Sequence, residues 1–255
     1  MHPEWTRRNK EGMPVSIWSL AYAGARRHGL GLLRAALARG IDGIQLHLNR
    51  SEPFVFYEEP VVQAFQEQHG ADPRKLSREY PRWIAHCAGY VTRFIREVRT
   101  LVDAKPGREL AVTISGRKTS GRSHYEENQC DVETWICEGL VDYIMATPYF
   151  NLPLLKRLRA LAGDKVHLWP DLMPRAQTAA SYARLAKACY DAGADGLCLW
   201  DGEHWPARIS EWAAVRRLGH EDQLARLEEE GPSFYRGVDL KYLGGFDAKW
   251  SFKDG

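Results

Sequence analysis

Residues 179–200, AASYARLAKACYDAGADGLCLW, decide the fold. From Ala179 to Asp191 small and apolar side chains recur at helical spacing, which predicts a helix. Gly193-Ala194-Asp195-Gly196 then makes a tight turn, and Leu197-Cys198-Leu199-Trp200 reads as a short apolar strand with no polar face. A strand of that kind is covered on both sides, as strands of parallel sheets are. The same order appears twice more. A helix from Leu30 to Ala38 leads through Gly40-Ile41-Asp42-Gly43 into Ile44-Gln45-Leu46-His47-Leu48, and one from Asp131 to Glu138 leads through Gly139 into Val141 to Ala146. Leu110 to Ile114 and Lys165 to Trp169 add two more apolar runs. Repeated helix, glycine and buried strand predict an α/β chain built as a (β/α)8 TIM-type barrel.

Outward from these units the pattern is less even. Residues 49–107 form one enlarged loop containing a short helix, Pro60 to Gln68, closed by Gly70, and a long one from Arg82 to Val102. In the long helix Ile84, Cys87, Ala88, Val91, Ile95, Val98 and Val102 make an apolar stripe. Val15 to Leu20 reads either as a sixth strand or as a loop over the barrel mouth. A helix is expected from Trp205-Pro206 onward, with Ile209, Trp212 and Ala213 on one side, and a solvated helix over Glu221 to Glu230. The resulting division is a barrel portion, 1–217, and a C-terminal helix and tail, 218–255.

The 35 Lys+Arg nearly balance the 33 Asp+Glu, so no basic excess calls for nucleic acid. No apolar stretch approaches the roughly 20 residues of a membrane span, and Met1 to Trp5 is not followed by a signal segment, so neither membrane nor export is expected and the chain reads as cytoplasmic. The five cysteines have no CxxC spacing and read as buried or half-buried thiols. Nine Trp and eleven Tyr, several near strand ends, fit either sugar-stacking platforms or ordinary rim packing. GxGxxG, GxxxxGK[ST] and GxSxG are all absent, which leaves dinucleotide, P-loop and serine-hydrolase readings without their working parts.

Five segments carry a resemblance: His2-Pro3-Glu4-Trp5, Gly40-Ile41-Asp42-Gly43-Ile44 with Asn49-Arg50, Tyr57-Glu58-Glu59-Pro60-Val61-Val62, Gly70-Ala71-Asp72-Pro73, and Gly139-Leu140-Val141-Asp142-Tyr143. In order and spacing, up to about residue 217, the chain resembles the uncharacterised glycosyl hydrolase-like family of bacterial (β/α)8 barrels. The resemblance implies that Ile44 to Leu48 is the fourth strand and Leu197 to Trp200 the eighth, so that the barrel is incomplete at the N-terminus. It also implies an acid at the end of the fourth strand and a nucleophile at the end of the seventh. Here His47 stands at the first of those places, and Asp171, after Trp169-Pro170, at the second.

A glycosidase needs two carboxyl groups flanking the scissile bond. Asp171 is the candidate nucleophile or base, with Glu58, Glu59 or Glu203 as acid and Asp201 at the matching rim position. Each has a structural alternative: Asp201-Gly202 is an ordinary turn pair, and acids such as Glu58 and Glu59 commonly precede helices. Glu126, Glu127 and His124 lie in the loop after Leu110 to Ser115. Candidate substrate-binding residues are His47, Asn49, Arg50, Arg117, Tyr149, Trp169, Trp200 and His204. Strand alternation sets Gln45, His47 and Asn49 on one face, expected to be the barrel interior. His47, His124, His167 and His204 share no ligand spacing, so neither a metal site nor a cofactor is expected. The expected function is hydrolysis of a glycosidic bond, with an oligo- or polysaccharide as partner. A saccharide-binding protein without catalysis, and a metal-dependent isomerase or hydrolase using His47, His167 and Asp171, are the other readings.

Overall fold

The structure is a computed structural model that describes residues 2–49, 53–115, 118–119, 122–123, 126, 128–147, 152–172, 179–199 and 215–229. Its strands are β1 (Thr6–Arg8), β2 (Pro14–Trp18), β3 (Gly43–His47), β4 (Glu109–Ser115), β5 (Lys118–Thr119), β6 (Arg122–Ser123), β7 (Tyr143–Thr147) and β8 (His167–Pro170). Its helices are α1 (Ala23–Leu37), α2 (Glu59–His69), α3 (Pro81–Asp103), α4 (Val132–Cys137), α5 (Leu152–Ala162), α6 (Ala179–Asp191) and α7 (Glu221–Glu229). The fold is α/β, with a four-stranded parallel sheet in the order β3-β4-β7-β8. The expected fifth strand, Leu197 to Trp200, is reduced to one parallel bridge between Asp171 and Cys198, with Trp200 outside the described residues. Val15 to Leu20 is no barrel strand: β2 pairs antiparallel with β1 in a separate sheet.

The chain divides into two compact units, Met1–Ile144 with Leu161–Val166, and Met145–Ala160 with His167–Gly255. The first is built around α3, whose stripe of Trp83, Cys87, Ala88, Val91, Ile95, Val98 and Val102 is buried. Trp135 of α4 is fully buried beside it and donates its indole N–H to the Thr92 hydroxyl at 2.9 Å, which satisfies the one polar atom of a large apolar ring. The parallel pairing of β3 with β4 is close at its start. A Cβ on Gly43 would lie 2.4 Å from the Glu109 carbonyl oxygen, so only glycine fits there.

The turns before β7 and after α6 use one device. Asp142 donates its backbone N–H to the Leu110 carbonyl at 2.8 Å while its Oδ2 accepts the Leu110 N–H at 2.6 Å, and Arg99 of α3 holds the same oxygen at 2.7 Å. In the second unit Asp195 repeats this on Leu168, with backbone N–H to carbonyl at 3.0 Å and Oδ2 to N–H at 2.8 Å, and Arg159 of α5 on the carboxylate. Each aspartate thus closes both backbone groups of a residue near the start of a strand.

In the second unit α6 packs on α7, and Tyr182, Ala183, Ala186 and Cys189 of α6 and Leu224 and Leu227 of α7 are buried. The acidic and basic run over α7 is therefore amphipathic rather than a fully solvated helix, because two leucines three positions apart, on one face, are buried. Of the cysteines, Cys87, Cys130 and Cys189 are buried, Cys198 is half-buried and Cys137 is exposed, contrary to the expectation that all would be covered. Burial pushes the Cys189 thiol up to about 12. No helix among the described residues is long and apolar enough to cross a membrane.

Candidate functional site

The C-terminal ends of parallel strands and the loops beyond them are where an α/β sheet presents polar groups to a ligand. In the first unit the loop after β3 runs from Leu48 into α2, and the chain before β3 braces it. Leu20 N–H donates to the Phe54 carbonyl at 3.3 Å, and Tyr57 N–H to the Arg8 carbonyl at 2.9 Å. Tyr57 stacks on Trp83 at 5.1 Å between ring centroids, and the Arg7 guanidinium lies over Phe56 at 5.0 Å while donating to the Pro53 carbonyl.

Glu58 closes this loop. Its residue is fully buried, Oε2 accepts the Phe56 N–H at 2.8 Å, and Oε1 meets no hydrogen-bond partner among the described residues. Burial raises the carboxyl above its usual range, opposed by the Ser19 hydroxyl, the Phe56 N–H and the charge on Arg7. The backbone carbonyl of Glu58 accepts the N–H groups of Val61 and Val62 in the first turn of α2, while its side chain makes no cap hydrogen bond to that helix. A buried carboxyl with one unpartnered oxygen and an elevated pKa holds its proton at higher pH than an ordinary glutamic acid, which is the property a general acid needs.

Glu59 differs entirely from its neighbour. It is exposed in the first turn of α2, paired with Arg74 and in reach of Gln63, the position where an acid complements the helix dipole. The polar trio expected on one interior face separates by burial: Gln45 and His47 are exposed and Asn49 is buried. Gln45 donates to the Thr113 hydroxyl of the neighbouring strand β4 at 2.9 Å, so its amide serves cross-strand pairing.

In the second unit Asp171 lies one residue beyond β8, fully buried. Its N–H donates to the Ala146 carbonyl of β7 at 3.1 Å, and the chain on either side bonds to Cys198, at 2.9 Å from Cys198 N–H to the Pro170 carbonyl and at 3.1 Å from Leu172 N–H to the Cys198 carbonyl. Trp169 is half-buried with its indole on the Gly196 backbone, where a Cβ would come within 2.8 Å of Nε1. His167 begins β8 and comes 3.9 Å from Asp195. Four residues of extended chain, about 13 Å, separate it from Asp171. His167 and Asp171 therefore cannot ligate one ion together, and among the described residues no three His, Cys, Asp or Glu side chains gather as a metal site.

Arg50, Arg117, Tyr149, Trp200, Asp201, Glu203 and His204, with His124 and Glu127, lie outside the described residues. Sequence reasoning missed Arg7, Ser19 and Gln129, all buried polar groups around the β3 loop. They lie in irregular chain or in a short hairpin, where periodicity carries no signal of burial. Tyr57, Trp83 and Trp135 answer part of the aromatic question: they are packing residues.

No protein-family model matches the chain, and no curated protein sequence matches it. Among solved structures, the catalytic domain of β-amylase from Paenibacillus polymyxa matches with a TM-score of 0.57 and 12% identity, over 88% of this chain and 75% of that one. At that identity the likeness is one of fold. What that domain shares with this chain is an α/β fold, seen here as a parallel sheet of four strands among the described residues.

Proposed function

We propose that the protein is carbohydrate-active and hydrolyses a glycosidic bond, with Glu58 as general acid and Asp171 as nucleophile or base. The observation that carries the reading is the state of Glu58: fully buried, raised by desolvation, with one carboxyl oxygen unpartnered among the described residues, on a loop after a strand of a parallel sheet. The β-amylase likeness supports a saccharide as substrate class. In the reaction the anomeric C–O bond breaks and its leaving oxygen takes the Glu58 proton. Asp171 either attacks the anomeric carbon, to be displaced later by water, or takes the proton of a water that attacks directly.

The sign of the pH dependence follows from the raised pKa. Glu58 acts protonated, so activity holds below its pKa and falls as pH rises through it, later than an ordinary glutamic acid would allow. Wild type, E58Q and D171N should be compared on a panel of oligosaccharides by reducing-end release. Both variants should lose about 10²–10⁴-fold in kcat/KM, and E58Q should also flatten the alkaline limb. Full activity in E58Q ends the acid assignment. The burial of Glu58 also favours a second reading, a saccharide-binding protein that does not turn over its ligand. Oligosaccharide binding by calorimetry without product from wild type is its signature.

A further inference from the structure

Gln129 is the one non-glycine residue with positive φ among the described residues, at +65°. It lies in the connection between β4 and α4, buried, with its N–H on the Glu126 carbonyl at 2.9 Å. Its side chain reaches Val55 in the loop after β3 and takes both backbone groups of that residue: Oε1 accepts the Val55 N–H at 2.9 Å and Nε2 donates to the Val55 carbonyl at 2.6 Å. A primary amide placed this way reproduces one rung of a β-ladder between two loops that share no strand pairing at that point. A left-handed backbone at a non-glycine residue persists only where its surroundings hold it, and here the left-handed residue is the one whose side chain makes the double contact.

The contact reaches Glu58 in one step. The residue after Val55 is Phe56, whose N–H donates to Glu58 Oε2 at 2.8 Å. Fixing Val55 fixes the direction of the next peptide group and hence that donor. The other groups around Glu58 come from the chain before β3 and from the helices: Arg7, Ser19, Tyr22, Cys87 and Tyr90. Among these contacts, the amide clamp ties Glu58 to the loop after the neighbouring strand β4.

We propose that Gln129 is a positioning residue for Glu58, holding the loop that carries its carboxyl closed and dry through the paired amide contact with Val55. The inference rests on Glu58 being the acid only for its catalytic consequence, because the position and hydration of the carboxyl can be read without turnover. Glycine accepts positive φ, so Q129G removes the clamp without backbone strain. Q129N tolerates positive φ and adds no charge, but its side chain is one methylene shorter and draws the amide away from Val55.

The test is a 13C NMR titration of the Glu58 carboxyl, assigned by its disappearance in E58Q, in wild type, Q129G and Q129N, with pH profiles of kcat/KM alongside. The expected result is a Glu58 midpoint lower by about one pH unit or more in Q129G as water reaches the carboxyl, with the same direction in Q129N. The alkaline limb of the activity profile should move with it. A folded Q129G whose Glu58 titrates where wild type does overturns the proposal. If Q129G does not fold, an unmoved midpoint in Q129N overturns it equally. A moved midpoint in a protein without glycosidase activity upholds the clamp and removes the acid role, so the two ideas fail separately.

Discussion

Asp142 and Asp195 show how one residue can set the start of a strand. Leu110 and Leu168 are buried, so losing the carboxylate leaves a buried N–H without its acceptor. That loss costs about 1–3 kcal/mol. D142A and D195A should each lower the urea-unfolding free energy by about 2 kcal/mol, and the asparagine variants by less, because an amide oxygen still accepts the backbone N–H while the arginine pairing weakens. Equal losses for alanine and asparagine would mean that the ion pairs with Arg99 and Arg159, rather than the backbone contact, hold the turn. The aspartates themselves were legible in the repeated glycine-to-aspartate turns. Their arginines were not, since Arg99 and Arg159 lie 43 and 36 residues earlier on helices, where an arginine reads as an ordinary surface residue. Glu58 and Glu59 give the same lesson at adjacent positions: the acidic pair before a helix was visible, but only the fold separates a dipole-side acid bound to Arg74 from a buried carboxyl.

At the level of elements, helix periodicity translated well because burial on one face is what the period records. The stripe on α3 is buried as its spacing predicts, apart from Ile84, which is half-buried, and Trp83, which takes a place in the core beside it. Strands were harder. Leu197 to Trp200 has an apolar composition suited to a buried strand, yet it joins the described structure through one bridge at Cys198. Short apolar runs fit several partners, and composition does not specify which edge they meet. Glycines separate more cleanly by what surrounds them. Gly31 lies within α1 with nothing within 4 Å of an added Cβ, while Gly43 would drive one to 2.4 Å from the Glu109 carbonyl oxygen. G31A should therefore stabilise by about 0.5–1 kcal/mol through helix propensity, and G43A should destabilise by about 1–3 kcal/mol or more as β3 is forced from β4. Thermal midpoints moving in the same direction for both would contradict the close approach of the two strands.

For the whole molecule, the sheet order and the hydrogen-bond parity together predict a gradient of protection. Leu48 N–H donates to the Thr113 carbonyl at 2.8 Å, and His47 is in register with Thr113, so Ile44, Leu46 and Leu48 direct their N–H groups to β4 while Gln45 and His47 direct theirs away from it. β4 has strands on both sides in the sheet and buries Leu110, Val112, Thr113, Ile114 and Ser115. The N–H groups that β4 directs toward β7 begin at Leu110, which Asp142 secures. Native-state hydrogen exchange should accordingly find its slowest amides in β4, at Leu110, Val112, Thr113 and Ile114, and lesser protection at Ile44, Leu46 and Leu48 of β3. β4 is flanked by a strand on either side among the described residues, so its amides are released only when the sheet itself opens, whereas β3 can separate from one neighbour. Slower exchange at Ile44, Leu46 and Leu48 than in β4 would overturn that order of stability.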